Sequence, residues 1–156
     1  MQGDAAIVEL LNEVLTAELT AVNQYFVDAK MLDNWGIERL AEHFHRTAIG
    51  EMKDADRLIE RILYLDGTPN MQRLGAVKVG ETPQEKLRLA LDLEREAIER
   101  LNGGIALCAE KGDHGTKDLL EGILGGEEEH ADWLETQHEA IARVGLELYL
   151  AEQLHG

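Results

Sequence analysis

Four stretches of the chain repeat apolar residues at alternating steps of three and four, and each is broken near its middle by one glutamate. The first reads Leu11, Leu15, Glu18, Val22, Tyr25, Ala29, Leu32, and the second Phe44, Ala48, Glu51, Ala55, Leu58, Ile62, Leu65. The third reads Leu87, Leu91, Glu94, Ile98, Leu101, Ile105. The fourth reads Leu120, Ile123, Glu127, His130, Leu134, Gln137, Ile141. Such spacing puts each series on one face of an α-helix, the face that has to be covered. One glutamate slightly off its seam is ordinary, because registers drift along a long helix. Four at matching heights are not. A lone ionised carboxylate among apolar side chains takes up a proton or finds a counter-charge. Four together call for cations between them.

Breaker residues set the limits of the helices. The spacing predicts a first helix from about Asp4, its N-cap, to about Asn34, and a second from roughly Ile37 to Leu65, stopped by Asp66-Gly67-Thr68-Pro69. Residues 67–82 read as a long irregular connection. Thr82 as N-cap, Pro83 at the first helical position and Glu85 in the first turn open a third helix, which runs to about 110–115. A fourth spans about 116–144, and Gly145 divides it from a short amphipathic last helix. The fold expected is all-α, a four-helix bundle with one long crossover connection and a short fifth C-terminal helix, residues 1–156 forming a single domain. Lengths agree with it: about 15 extended residues reach ~50 Å, and a helix of about 28 residues is ~42 Å long.

Charge narrows the partners. With 31 acidic against 15 basic residues the net charge is −16, which repels nucleic acid and anionic membranes and attracts cations. Cys108 is the single cysteine, so one chain can build neither a disulfide framework nor a cysteine-rich metal site. The N-terminal residues do not read as a signal peptide, and no run reaches the length of a membrane span, so a cytoplasmic location is expected.

Oxygen donors with a little imidazole suit iron or manganese. Ferritin-like di-iron bundles are known to use one Glu from each of two helices and Glu-x-x-His from each of the other two. Here Glu18 and Glu94 fill the single-Glu roles, Glu127-x-x-His130 is one complete motif, and Glu51-x-x-Asp54 is an altered second.

The chain resembles the bacterioferritins over nearly its whole length. The stretches that carry the resemblance are MQGD, LTAELTAVNQYF around Glu18, NWG, EMKDADRLIERILYLDGTPN, EEEHADWLE and LELYL. The resemblance implies a hollow shell of 24 subunits that oxidises Fe(II) with dioxygen and stores the ferric product as mineral. It implies di-iron ligation by Glu18, Glu51, Glu94, Glu127, His130 and the residue at position 54, with Tyr25 as a redox-active neighbour. It further implies haem b between two subunits, with Met52 of each as axial ligand, and a ferredoxin-type reductant. The shell would be a homo-oligomer or would include a paralogous subunit. On spacing alone Met52 lies one position off the Glu51 seam, on a stripe with His45, Ile49 and Ile59, and reads as interface packing. Tyr25 reads equally as a core tyrosine, and Trp133 as packing. His43 and His45 face either solvent or an interior surface. Arg46 and Gly50 stand where the family often has further ligands, which speaks against an inner-surface iron site.

The departure at position 54 has several readings. Four glutamates and two neutral histidines balance two Fe(II) ions, whereas Asp54 in place of a histidine adds a fifth carboxylate. A working oxygen-richer site, a loosely held second iron, and an impaired subunit beside active partners all remain open. Asp54 could instead turn aside to Lys53 or Arg57. The competing functions are a haem-bearing structural or electron-transfer subunit with an impaired di-iron site, and a metal-free helical scaffold.

Overall fold

Asp4 begins the first helix by accepting the Ala6 N–H at 2.7 Å, and α1 then runs from Ala5 to Asn34. In this computed structural model, which describes residues 1–154, the remaining helices are α2 (Glu38–Tyr64), α3 (Pro83–Lys111), α4 (His114–Val144) and α5 (Leu146–Ala151). No strand occurs among the described residues. Thr82 caps α3 through the Glu85 N–H at 3.1 Å, with Pro83 at the start. Gly112 closes α3 at φ +73°, a left-handed turn that glycine adopts without steric cost. The four long helices form the bundle that the periodicity predicts, with α1 packed chiefly on α2 and α3 chiefly on α4. Among the described residues no helix is long and apolar enough to cross a membrane.

The core is in two pieces. One cluster gathers Ala21, Tyr25, Phe44, Ala48, Leu87, Leu91, Ala131 and Leu134. The other gathers Leu11, Leu15, Leu19, Ala55, Leu58, Leu101 and Ile123. Glu51, Glu94 and Glu127 fall between the two in sequence on α2, α3 and α4, and Glu18 lies at the boundary on α1, one residue before Leu19, so a polar layer divides the bundle near mid-height. The second cluster also shows where the sequence-derived stripe drifts. In α3 the buried residues after Glu94 are Leu101, Gly104 and Cys108, while Ile98 and Ile105 are only half-buried. A straight helix rotates away from a fixed three-four count over several turns. Gly104 takes the place because a β-carbon there would come within 3.0 Å of Leu10 Cδ1.

The crossover between α2 and α3 is laid along α1 on a polar stripe spaced by four. Asn12 donates to Thr68 O at 3.2 Å and accepts from Asn70 N at 2.8 Å. Thr16 accepts from Arg73 Nε at 3.2 Å, Thr20 from Gly75 N at 2.9 Å, and Gln24 from Lys78 N at 3.2 Å. Asp28 continues the stripe and meets Lys86 of α3 at 3.0 Å, both side chains being buried. The bonds of Asn12, Thr20 and Gln24 supply partners to crossover backbone groups that cannot join a helix or sheet, and Thr16 holds the Arg73 side chain. At the other end Tyr149 of α5 is buried and donates to Gln137 Oε1 at 2.7 Å, which docks the last helix on α4.

Candidate metal centre

Each helix carries its glutamate inward because the apolar residues a turn away on either side hold that face against its neighbours. Glu18, Glu51, Glu94 and Glu127 are 3%, 6%, 1% and 3% exposed. One carboxylate oxygen from each of Glu18, Glu51, Asp54 and Glu127 lies within 4.8 Å of the other three. Glu94 and His130 flank this group and face each other, with His130 Nδ1 2.9 Å from Glu94 Oε1. The Tyr25 hydroxyl, fully buried, donates to the same Glu94 oxygen. Glu18 Oε2 and Glu94 Oε2 are buried without a hydrogen-bond partner. Buried oxygens that lack donors fit a site meant for cations.

The electrostatics follow from this crowding. Burial, with the charges of Glu127 and Asp54 added, pushes Glu18 up to about 8, although its contact with Glu51 opposes the rise. Burial and the neighbouring Glu94 take Glu127 to about 10. Glu51 is raised well above the carboxylate range by burial and then by Glu18, and burial also raises Glu94. In the absence of cations the layer therefore keeps protons. Burial lowers His130 to about 4 despite the pull of Glu127, so its imidazole is neutral and able to act as a ligand. Burial and the Glu94 and Glu51 charges raise Tyr25, which stays a phenol.

Asp54 does both things that its sequence left open. Its Oδ1 pairs with Arg57 one turn on, while a carboxylate oxygen still belongs to the four-acid group. Burial raises it above the usual value and Arg57 opposes that rise. Lys53 makes no ion pair with it among the described residues.

The centre lies between two cavities. One, of about 250 Å³, is bounded by α1, α3 and the crossover, with Glu18, Ala76, Lys78, Glu94 and Arg100 in its walls. The other, of about 380 Å³, opens between α2 and α4 and is lined by His43, Thr47, Asp54, Glu129, His130 and Trp133. Glu51 and Glu127 border both.

The sequence left the direction of His43 and His45 open, and the structure separates them: His43 is half-buried and His45 is exposed. His43 turns into the second cavity, stacked on Trp133 with centroids 3.5 Å apart and planes at 12°. Its Nε2 is 2.9 Å from His130 Nε2. Burial and the neighbouring His130 lower it to about 3. A signal existed: His43, Thr47, Gly50 and Asp54 share one helical line beside the Glu51 seam. His45 is exposed, as are Arg46 and Gly50. Met52 points away from the centre, 49% exposed, with Ile49 47% exposed one turn before it and Ile59 half-buried.

A family described as ferritin-like domain matches residues 8–144. The chain is 49% identical over 152 residues to a bacterioferritin of Mycolicibacterium paratuberculosis, covering 97% of this chain and 96% of that protein. It is 48% identical, over the same shares of both chains, to a bacterioferritin of Mycobacterium tuberculosis. A bacterioferritin of Streptomyces coelicolor is 46% identical over 151 residues, covering 97% of this chain and 90% of that protein.

Proposed function

The chain belongs to the ferritin family, among the iron-storing bacterioferritins, and from that premise we propose that it is a ferroxidase that oxidises Fe(II) inside its own helical bundle. The observation that carries the proposal is the layer of four buried glutamates, in which Glu18 Oε2 and Glu94 Oε2 have no hydrogen-bond partner. Two Fe(II) ions are the substrate. Glu18, Glu51, Asp54 and Glu127 would hold them from one side, and Glu94 and His130 from the other. As each ion enters, it replaces protons that burial keeps on the carboxyls. Dioxygen takes one electron from each of the two ions and, with two protons, leaves as hydrogen peroxide, while Tyr25, whose hydroxyl bonds Glu94, is the redox-active neighbour of the pair. Ferric ions then leave for the shell interior to be deposited as mineral. The two cavities supply a way in and a way out that meet at Glu51 and Glu127.

Bacterioferritins form oligomeric shells. For this chain we propose a cytoplasmic shell of 24 subunits, each one ferritin-like domain over residues 1–156, built from itself or with a paralogous subunit. Haem b would be held between two copies by Met52 of each, and the half-exposed thioether beside exposed Ile49 fits a site completed by a second copy. Bound there, haem would pass electrons from a ferredoxin-type reductant, and thioether ligation tends to raise its potential. A Met52→Leu protein should assemble normally and lose haem absorbance. Retained absorbance would remove Met52 from the site.

A second reading is favoured by the Asp54–Arg57 pair: an impaired centre in a haem-bearing structural or electron-transfer subunit. Fe(II) oxidation by the purified protein, beside an Asp54→His variant and protein-free autoxidation, separates the two. The ferroxidase reading expects the unmodified protein to outrun autoxidation clearly. If it only matches autoxidation while the variant is fast, the impaired-centre reading holds.

A further inference from the structure

We propose that His43 is a positioning residue for His130, acting from the α2/α4 cavity and not from the carboxylate layer itself. The inference rests on the metal-centre reading above. His130 is engaged at both ring nitrogens: Nδ1 faces Glu94 Oε1 at 2.9 Å, and Nε2 faces His43 Nε2 at 2.9 Å. For Nδ1 to offer its lone pair to a cation, the imidazole must carry its proton on Nε2. That proton needs an acceptor, and a bound ligand whose far nitrogen is fixed keeps both its tautomer and its ring orientation. Carboxylates and backbone carbonyls commonly do this work. Here the group within reach is a second imidazole.

His43 is itself held in place. Trp133 lies flat against one face, and Phe44 meets it edge-on with centroids 5.5 Å apart. Trp133 is also one turn beyond His130 on α4, so the same helix carries the ligand and the plate that fixes its partner. The Thr47 hydroxyl is 3.4 Å from His43 Nε2 but is already committed to His43 O at 2.9 Å, which leaves His130 as the closer partner. The contact spans 87 residues of sequence and joins α2 to α4 directly across the cavity. With Asp54 in place of a second histidine, His130 is the sole imidazole in the ligand set, so its orientation decides how much nitrogen character the centre has.

The test is Co(II) titration of the metal-stripped full-length protein, followed by visible absorption, which reports both stoichiometry and ligand set. The expected result is that His43→Leu weakens the more weakly bound Co(II) by about 10- to 100-fold and shifts its absorption. His43→Gln, which can still accept a hydrogen bond, should bind within about threefold of the original. In a His130→Ala background, His43→Leu should have no further effect. A His43→Leu protein that binds Co(II) like the original overturns the proposal. So does an effect that persists without His130, since that would reflect packing against Trp133 alone. An unmodified protein that binds no Co(II) at the carboxylates overturns the metal centre first, and this role with it.

Discussion

Asp54 has two partners at once, the carboxylate group of the layer and an arginine one turn on. One of its oxygens lies in the carboxylate group, and Arg57 holds its Oδ1. The fifth carboxylate thus arrives with a counter-charge, which brings the site's charge back toward that of the four-glutamate pattern. Because the Arg57 end of the pair is exposed, solvent screens it to about 0–1 kcal/mol of stability, so Arg57→Gln should leave the melting temperature nearly unchanged. Its effect should appear in metal affinity. Without the guanidinium the site is more negative, and Zn(II) should bind a few-fold tighter in a chelator competition. Weaker binding would mean that Arg57 positions Asp54 instead of offsetting it. At this scale the sequence was informative about residues on the seams and silent about those beside them. Glu18, Glu51, Glu94 and Glu127 announce themselves by interrupting apolar stripes. His43 interrupts nothing, since its line runs through Thr47 and Gly50 and looks solvated, and its partner lies on another helix.

Among the elements, helix limits were legible because their signals are local. Asp4, Thr82, Pro83 and Gly112 act within a turn of where they stand. The α1 stripe Asn12, Thr16, Thr20, Gln24, Asp28 was not legible, because a polar line on a long helix ordinarily means water. Its burial comes from the crossover, whose path no local pattern states. The stripe makes different claims along its length. Thr20→Val removes one acceptor from the Gly75 N–H and should cost about 1–3 kcal/mol by leaving that group without a partner, read from denaturant unfolding. Asp28→Ala strands the buried Lys86 ammonium and should cost about 3–5 kcal/mol. Asp28 with Lys86 both replaced, by Leu and Met, should recover most of that loss. If Asp28→Ala is as mild as Thr20→Val, the pair is better hydrated than its burial indicates.

For the whole molecule, the carboxylate layer sets how stability depends on pH. Glu18 and Glu127 titrate at about 8 and about 10 in the folded chain, above the ordinary 4.5. Between those limits the folded state binds more protons than the unfolded one, so stability falls as pH rises. The metal-stripped protein should therefore melt at progressively lower temperature from pH 5 to pH 8 and beyond. Added Zn(II) should raise the melting temperature most at the alkaline end, where protons compete least. Glu127→Gln should flatten the pH profile, raise the metal-free melting temperature at pH 8 and slow Fe(II) oxidation sharply. A flat profile in the unmodified protein would mean that the layer is solvated.

A bundle whose apolar core is cut across the middle need not loosen from its tips. Helices ordinarily fray at their ends, and amide exchange slows toward the centre. Here both halves of the core are packed, and a polar layer around Glu18, Glu51, Glu94 and Glu127 lies between them. In the metal-stripped protein, amide protection should dip in the middle of α1 to α4 and recover on either side. Metal ions would act as the missing course of masonry, so the cargo that passes through the layer would also hold the two halves of the wall together.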